Sequence, residues 1–197
     1  MIGTLPRSLE ELNALIVASP PFVPGSSRAV LGEGPVGAAF ALVGEQPGDW
    51  EDVEGKPFVG PAGKILSKAL QKAGIERGSC YVTNAVKHFK YQQRGKRRIH
   101  QRPTQGEVRH YRWWLELELC FVSPRVVVAM GRTAASALLD RAVSIKEVRG
   151  PLMLAERRGF VTVHPSSLLR QVSAEERAIA YDAFVKDLQQ VRQMAAQ

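Results

Sequence analysis

The sequence predicts an α/β fold: a three-layer α/β/α sandwich around a central, mostly parallel four-stranded sheet. Four short apolar runs are closed off by glycine or polar residues, the pattern of strands buried on both faces. Helical periodicities fall between them, and strands that alternate with helices form parallel sheets covered on both sides. A length of 197 residues suits one domain that buries roughly 70% of the unfolded chain's surface.

Ser8 and Glu11 form a capping box that opens a first helix. A stretch rich in Pro, Gly and Ser from Ser19 to Gly37 ends it, so residues 1–37 read as an N-terminal helix and loop. Ala38 to Val43, between Gly37 and Gly44, is the first strand. Gly60-Pro61-Ala62-Gly63 opens a helix to about Lys72, with Ile65, Leu66, Ala69 and Leu70 on one face and Gly74 as its stop. Cys80 to Val86 is the second strand. Lys87 to Pro103 is polar and basic without a period, and residues 88–103 are taken as a basic loop inserted after that strand. Gln105 to Val122 regains an apolar stripe through Trp113, Leu117 and Phe121 and is helical. Arg125 to Met130 is the third strand, followed at Gly131 by a helix from Thr133 to Leu139. Phe160 to Val163 is the fourth strand, and a helix from Ser173 to about Met194, opened by Ser173 and Glu176, closes the chain. Neither repeats nor a second domain are visible, so residues 1–197 are expected to form one domain.

Lys and Arg number 27 against 19 Asp and Glu, a net charge of +8, which favours a polyanionic partner such as nucleic acid. No apolar run approaches the roughly 18 residues of a membrane span. The opening Met1 to Arg7 lacks a basic segment followed by an apolar one, so a cytoplasmic location is expected. Cys80 and Cys120 are then free thiols, too few for a four-thiolate metal site within one chain.

Ligands of open parallel sheets bind beyond the carboxyl ends of the strands. Glu45-Gln46-Pro47-Gly48-Asp49-Trp50-Glu51-Asp52 follows the first strand; it matches neither a dinucleotide fingerprint nor a phosphate loop and by itself reads as a turn with helix-capping acids. Asn84 closes the second strand, and His164-Pro165-Ser166-Ser167-Leu168-Leu169-Arg170 follows the fourth, where hydroxyls and backbone N–H groups can hold a phosphate. Glu45, Asn84 and His164 thus share one rim. From Lys87 to Arg112 nine basic residues meet the single acid Glu107, so this segment carries a net charge equal to that of the whole chain. It reads as a phosphate-contacting footprint with a steep salt dependence.

Five ordered motifs carry a resemblance: Gly44-Glu45-Gln46-Pro47-Gly48-Asp49, Pro57-Phe58-Val59-Gly60-Pro61-Ala62-Gly63, Val82 to Lys90 around Asn84, Gly95-Lys96-Arg97-Arg98-Ile99-His100, and His164 to Arg170. In these the chain resembles the uracil-DNA glycosylase superfamily, from about Val30 to Val191, and the Lys96 to His100 motif is similar to its UdgX branch. The resemblance implies a protein that flips uracil out of DNA, cleaves the glycosidic bond and is trapped through His100 on the sugar C1′.

The residue chemistry agrees with that implication. Phe58 can stack on an extruded base, and the Asn84 amide matches uracil N3–H and O4 while opposing cytosine. His164 is expected to stabilise charge on uracil O2. Gln46 stands where some turnover relatives carry a water-activating carboxylate, and an amide cannot take a proton from water. Arg97 and Arg98 are expected to keep His100 neutral and nucleophilic, with Glu45 orienting the ring and opposing that shift.

The expected site is therefore His100, Glu45, Gln46, Asp49 and His164 for catalysis, with Asn84, Phe58, Gln46 and Asp52 around the base. Lys96, Arg97, Arg98, Ser166, Ser167 and Arg170 are expected on DNA, and no residue on a metal. A monomer acting on uracil-containing DNA, single-stranded by preference, is expected. The alternatives are a turnover uracil-DNA glycosylase of base excision repair and a non-catalytic uracil-DNA binding module. The family usually holds a four-iron, four-sulfur cluster, but the aligned places carry Val17, Pro20, His88 and Tyr111, none a thiolate. No cofactor is expected, with Val17, Phe22 and Tyr111 packed in the cluster's place. A tyrosine that blocks the thymine methyl in one branch aligns with Gly48, so rejection of thymine is expected to fall to Asp49, Phe58 or the backbone.

Overall fold

The computed structural model describes residues 5–154 and 156–196; part of the Met1 to Arg7 stretch read for a leader lies outside them. A five-stranded sheet forms the centre. Strands β2 (Phe40–Gly44), β3 (Cys80–Asn84), β6 (Val126–Met130), β7 (Gly150–Leu154) and β8 (Arg157–Thr162) lie in the order β3-β2-β6-β8-β7. The first four in that order are mutually parallel, and β7 adds antiparallel to β8. The expected sheet had four strands. β7 escaped notice because its residues alternate between half-buried and exposed and include Pro151, the signature of an edge strand rather than of an apolar run.

Alternation along the strands builds two cores. Ala41 and Val43 of β2 point with Val127 and Ala129 of β6 toward helices α1 (Leu9–Ala18), α4 (Gln105–Val122) and α5 (Arg132–Leu139). Phe40 and Leu42 point with Val126 and Val128 toward α3 (Pro61–Lys72), the short α7 (Pro165–Leu168) and α8 (Ala174–Ala196). Helices on both faces are what parallel strands require to bury both sets of side chains. The described helices include none long and apolar enough to cross a membrane.

Four further departures concern the region around the site. The basic segment is a hairpin of β4 (His88–Arg94) and β5 (Arg97–His100), closed by Gly95 and Lys96, with Tyr91 opposite His100. The loop after α1 contributes β1 (Gly25–Ala29), which pairs antiparallel with β4 to make a second, three-stranded sheet. The acid-rich turn after β2 is a helix, α2 (Asp49–Glu54), and a short α6 (Ile145–Val148) precedes β7.

Candidate active site

The carboxyl ends of β2, β3, β6 and β8 open onto a cavity of about 670 Å³, within the usual 300–1,000 Å³ of small-molecule sites. Its wall includes Glu45, Gln46, Phe58, Asn84, His100, Arg102, His164 and Arg170, so six residues expected in catalysis or base recognition, His100 among them, converge there with Arg170.

Asn84, the last residue of β3, is buried, and among the described residues no hydrogen bond occupies its carboxamide. Its backbone carbonyl accepts from Lys87 Nζ at 2.9 Å. Lys87 is wholly buried: it pairs with Glu118 at 2.5 Å, and Tyr81 and Thr83 donate to the same carboxylate. Phe58 is held at φ 55°, a conformation non-glycine residues adopt only under constraint, and Arg77 donates to its carbonyl. Its ring lies so close to Gly44 that a β-carbon there would stand 2.5 Å from Cζ and 2.4 Å from Asn84 Oδ1. Glycine at the end of β2 is therefore what lets the aromatic ring and the amide share one wall.

His164 caps α7 and its Nδ1 accepts from the Ser166 N–H at 3.2 Å, which leaves the donor proton on Nε2. Burial holds its pKa near 4, so the ring is neutral around pH 7 and acts as a hydrogen-bond donor rather than a cation. The Ser166 hydroxyl contacts the same nitrogen and receives Arg170 Nη1, and the Ser167 hydroxyl donates to the His164 carbonyl. Both serines line the cavity, but their hydroxyls first organise this loop.

His100 Nε2 lies 3.5 Å from Glu45 Oε1, and 49% of the His100 side chain remains open to solvent. Partial burial lowers its pKa; Glu45 opposes the shift, while Arg102 and Arg170 reinforce it. The arginines responsible are thus not the expected Arg97 and Arg98. Arg98 turns inward, pairing with Asp49 at 2.5 Å and with Asp52, and its guanidinium lies over the Phe89 and Tyr91 rings. Asp49 and Asp52 are absent from the cavity wall; they tie α2 to the hairpin that carries His100. Gln46 does the same from the turn after β2. Its Nε2 donates to the carbonyls of Lys90 and Gln101 at 3.2 and 3.1 Å, and its Oε1 accepts from Lys90 N–H.

The basic footprint shrinks accordingly. Lys87, Lys90, Arg98 and Arg112 are each paired with a carboxylate of the protein. Lys96 and Arg97 stay exposed at the hairpin tip, and Arg102 joins Arg170 at the cavity mouth. Arg102 is not among the residues the sequence motifs mark; its one sequence signal is its place two residues beyond His100, on the same side of an extended chain.

The places aligned with a cluster do not offer suitable donors. His88 Nδ1 and the Tyr111 hydroxyl are 2.9 Å apart, and that hydroxyl also receives Phe22 N–H at 2.9 Å. Cys80 is buried beneath the other face of the sheet, its thiol pushed up to about 11 by desolvation, and Cys120 is exposed on α4. Among the described residues no three His, Cys, Asp or Glu side chains converge as metal ligands. An iron–sulfur cluster does not fit this donor set. Tyr111 is wholly buried, but Val17 and Phe22, expected to pack with it, are 63% and 52% exposed, because α1 turns only Leu12 and Ile16 inward and Phe22 stacks outside on His110.

The uracil DNA glycosylase superfamily model matches residues 31–189, most of the chain and all of the cavity-forming elements. The chain belongs to that superfamily. Among its relatives, the type-4 uracil-DNA glycosylase of Thermotoga maritima is 37% identical over 163 residues, 81% of each chain. The type-4 uracil-DNA glycosylase of Pyrobaculum aerophilum is 34% identical over 153 residues, 73% of this chain and 74% of the relative. That of Archaeoglobus fulgidus is 33% identical over 156 residues, 75% of each. The matched range takes in both the main sheet from β2 to β8 and the hairpin that carries His100.

Proposed function

We propose that the protein excises uracil from DNA and is then captured by its product through a bond from His100 to the sugar C1′, as in the UdgX branch. The whole chain acts as one domain and one monomer, on single-stranded DNA by preference. Asn84 reads uracil N3–H and O4, Phe58 stacks on the flipped base, and the His164 Nε2–H donates to O2 as the N1–C1′ bond breaks and its electron pair moves onto the base. An oxocarbenium-like sugar remains. The observation that carries the reading is the placing of His100 beside Glu45 at the mouth of a cavity whose other wall bears the free Asn84 amide.

Water competes poorly for that sugar because no idle base faces it. Of the two glutamates on the wall, Glu51 accepts from the backbone N–H groups of Gly48 and Gly60, and Glu45 is turned to His100. The Gln46 amide is spent on the hairpin. A ring nitrogen lone pair of neutral His100 therefore forms the new bond to C1′. The alkylated ring is briefly an imidazolium beside the Glu45 carboxylate. It gives up its remaining N–H proton as the uracil anion gains one, leaving neutral base and neutral N-alkyl imidazole. The test is to quantify free uracil from an excess of single-stranded uracil oligonucleotide. The proposal expects release to stop at about one uracil per protein. Release far beyond that stoichiometry supports turnover, and no release supports a binding module; either result overturns the proposal.

A further inference from the structure

Glu45 stands in the turn just after β2 on a side chain with several rotatable bonds, and its carboxylate is held by a residue of another element. The holder is Thr133, whose Oγ1 hydroxyl donates to Oε2 and leaves Oε1 facing His100 Nε2 at 3.5 Å. The competing partner for Oε2 is Arg102, whose Nε lies 4.0 Å away. Thr133 is itself 6% exposed and does not line the cavity. It sits in the first turn of α5, where no preceding helical turn offers its hydroxyl a carbonyl, and it reaches across to another element. Threonine's branched side chain has few rotamers in a helix, so the hydroxyl is presented rigidly. Gly131 brings that turn close: it starts α5 at φ 90°, and a β-carbon there would stand 2.8 Å from His164 Cβ.

We propose that Thr133 is a positioning residue that fixes the Glu45 carboxylate toward His100 and so sets the reactivity of that ring. Its consequence for capture rests on the covalent reading above; its geometry does not. The charged and titratable groups facing His100 are Glu45 at the end of β2, Arg102 beyond β5, and Arg170 and His164 around α7. Glu45 alone among them favours the imidazolium. With the Thr133 hydroxyl removed, the carboxylate is free to swing toward Arg102, and His100 loses its one opposing charge.

The test follows the His100 imidazole by NMR titration of the DNA-free protein. Relative to wild type, Glu45→Gln shifts the His100 midpoint to lower pH, and Thr133→Val shifts it in the same direction. Thr133→Ser, which keeps the hydroxyl, titrates like wild type, and Thr133→Val adds nothing in a Glu45→Gln background. On uracil DNA, Thr133→Val slows capture on the order of tenfold, the scale of one hydrogen bond to a charged group. A Thr133→Val titration identical to wild type overturns the inference, as does a Thr133→Ser midpoint displaced as far as that of Thr133→Val. A wild type that captures no DNA while the titrations behave as stated overturns the covalent reading and leaves the positioning role established.

Discussion

Asn84 lies in the cavity and Arg97 on the exposed hairpin tip, and under the proposed function they divide recognition between them. Asn84→Ala should lower discrimination between uracil and cytosine by tenfold or more, because a buried pocket that has lost its paired amide no longer penalises the wrong donor–acceptor pattern. Arg97→Ala should weaken binding by the same factor on uracil-containing and uracil-free DNA, since a phosphate contact carries no sequence information. Competition binding on matched oligonucleotides checks both; equal losses from the two substitutions on uracil-free DNA contradict the division. Residue types near Glu45, Asn84, Phe58, His100 and His164 were legible in the sequence because each stands at a strand end or in a motif. Partnership was not. Whether a charge faces DNA or another side chain depends on contacts as far apart as Arg98 and Asp49, and no periodicity reports them. Thr133 was legible only as a helix residue for the same reason.

The hairpin is the element on which the site depends, and the protein anchors it at several points. Gln46 ties its base, Arg98 ties its second strand to α2, Lys90 pairs with Glu107 at 2.7 Å at the start of α4, and β1 pairs along its edge. The turn joining β3 to it is pinned from below by the buried Lys87–Glu118 pair. Lys87→Met leaves the Glu118 carboxylate buried without its cation, so it should destabilise the fold by about 3–5 kcal/mol, read from chemical denaturation. Loss of less than about 1 kcal/mol would mean that Glu118 finds solvent or another partner. The central strands and long helices were readable because burial on both faces writes itself as continuous apolar runs and as 3.6-residue stripes. β1, β4 and β5 were not, because a partly exposed sheet built from Gly25-Ser26-Ser27-Arg28-Ala29 and two basic strands shows neither an apolar run nor clean alternation. Capping acids after β2 were seen, but the six-residue α2 they cap is too short to display a period.

Across the whole molecule, the net charge of +8 overstates what is offered to DNA. Four of the nine basic residues between Lys87 and Arg112 are neutralised within the protein, which leaves Arg94, Lys96, Arg97, Arg102 and Arg109; Arg94, Lys96 and Arg97 on the hairpin and Arg102 at the mouth, joined there by Arg170 from beyond the segment, are the five cations best placed for phosphates. With about 0.7 counterions released per phosphate on single strands, five contacts give a log–log salt slope near −3.5, whereas nine would give about −6. A measured slope steeper than about −5 would require cations here assigned to internal pairs to reach the DNA. The proposed function turns on the placing of His100 beside Glu45 at the mouth of the cavity. The most direct test mixes the protein with a single-stranded uracil oligonucleotide, boils the mixture in detergent and resolves it on a denaturing gel. The account predicts a boiling-resistant protein–DNA band that requires uracil and disappears in His100→Ala. An intact protein that yields no such band at any salt concentration, or a band that persists in His100→Ala, would contradict it.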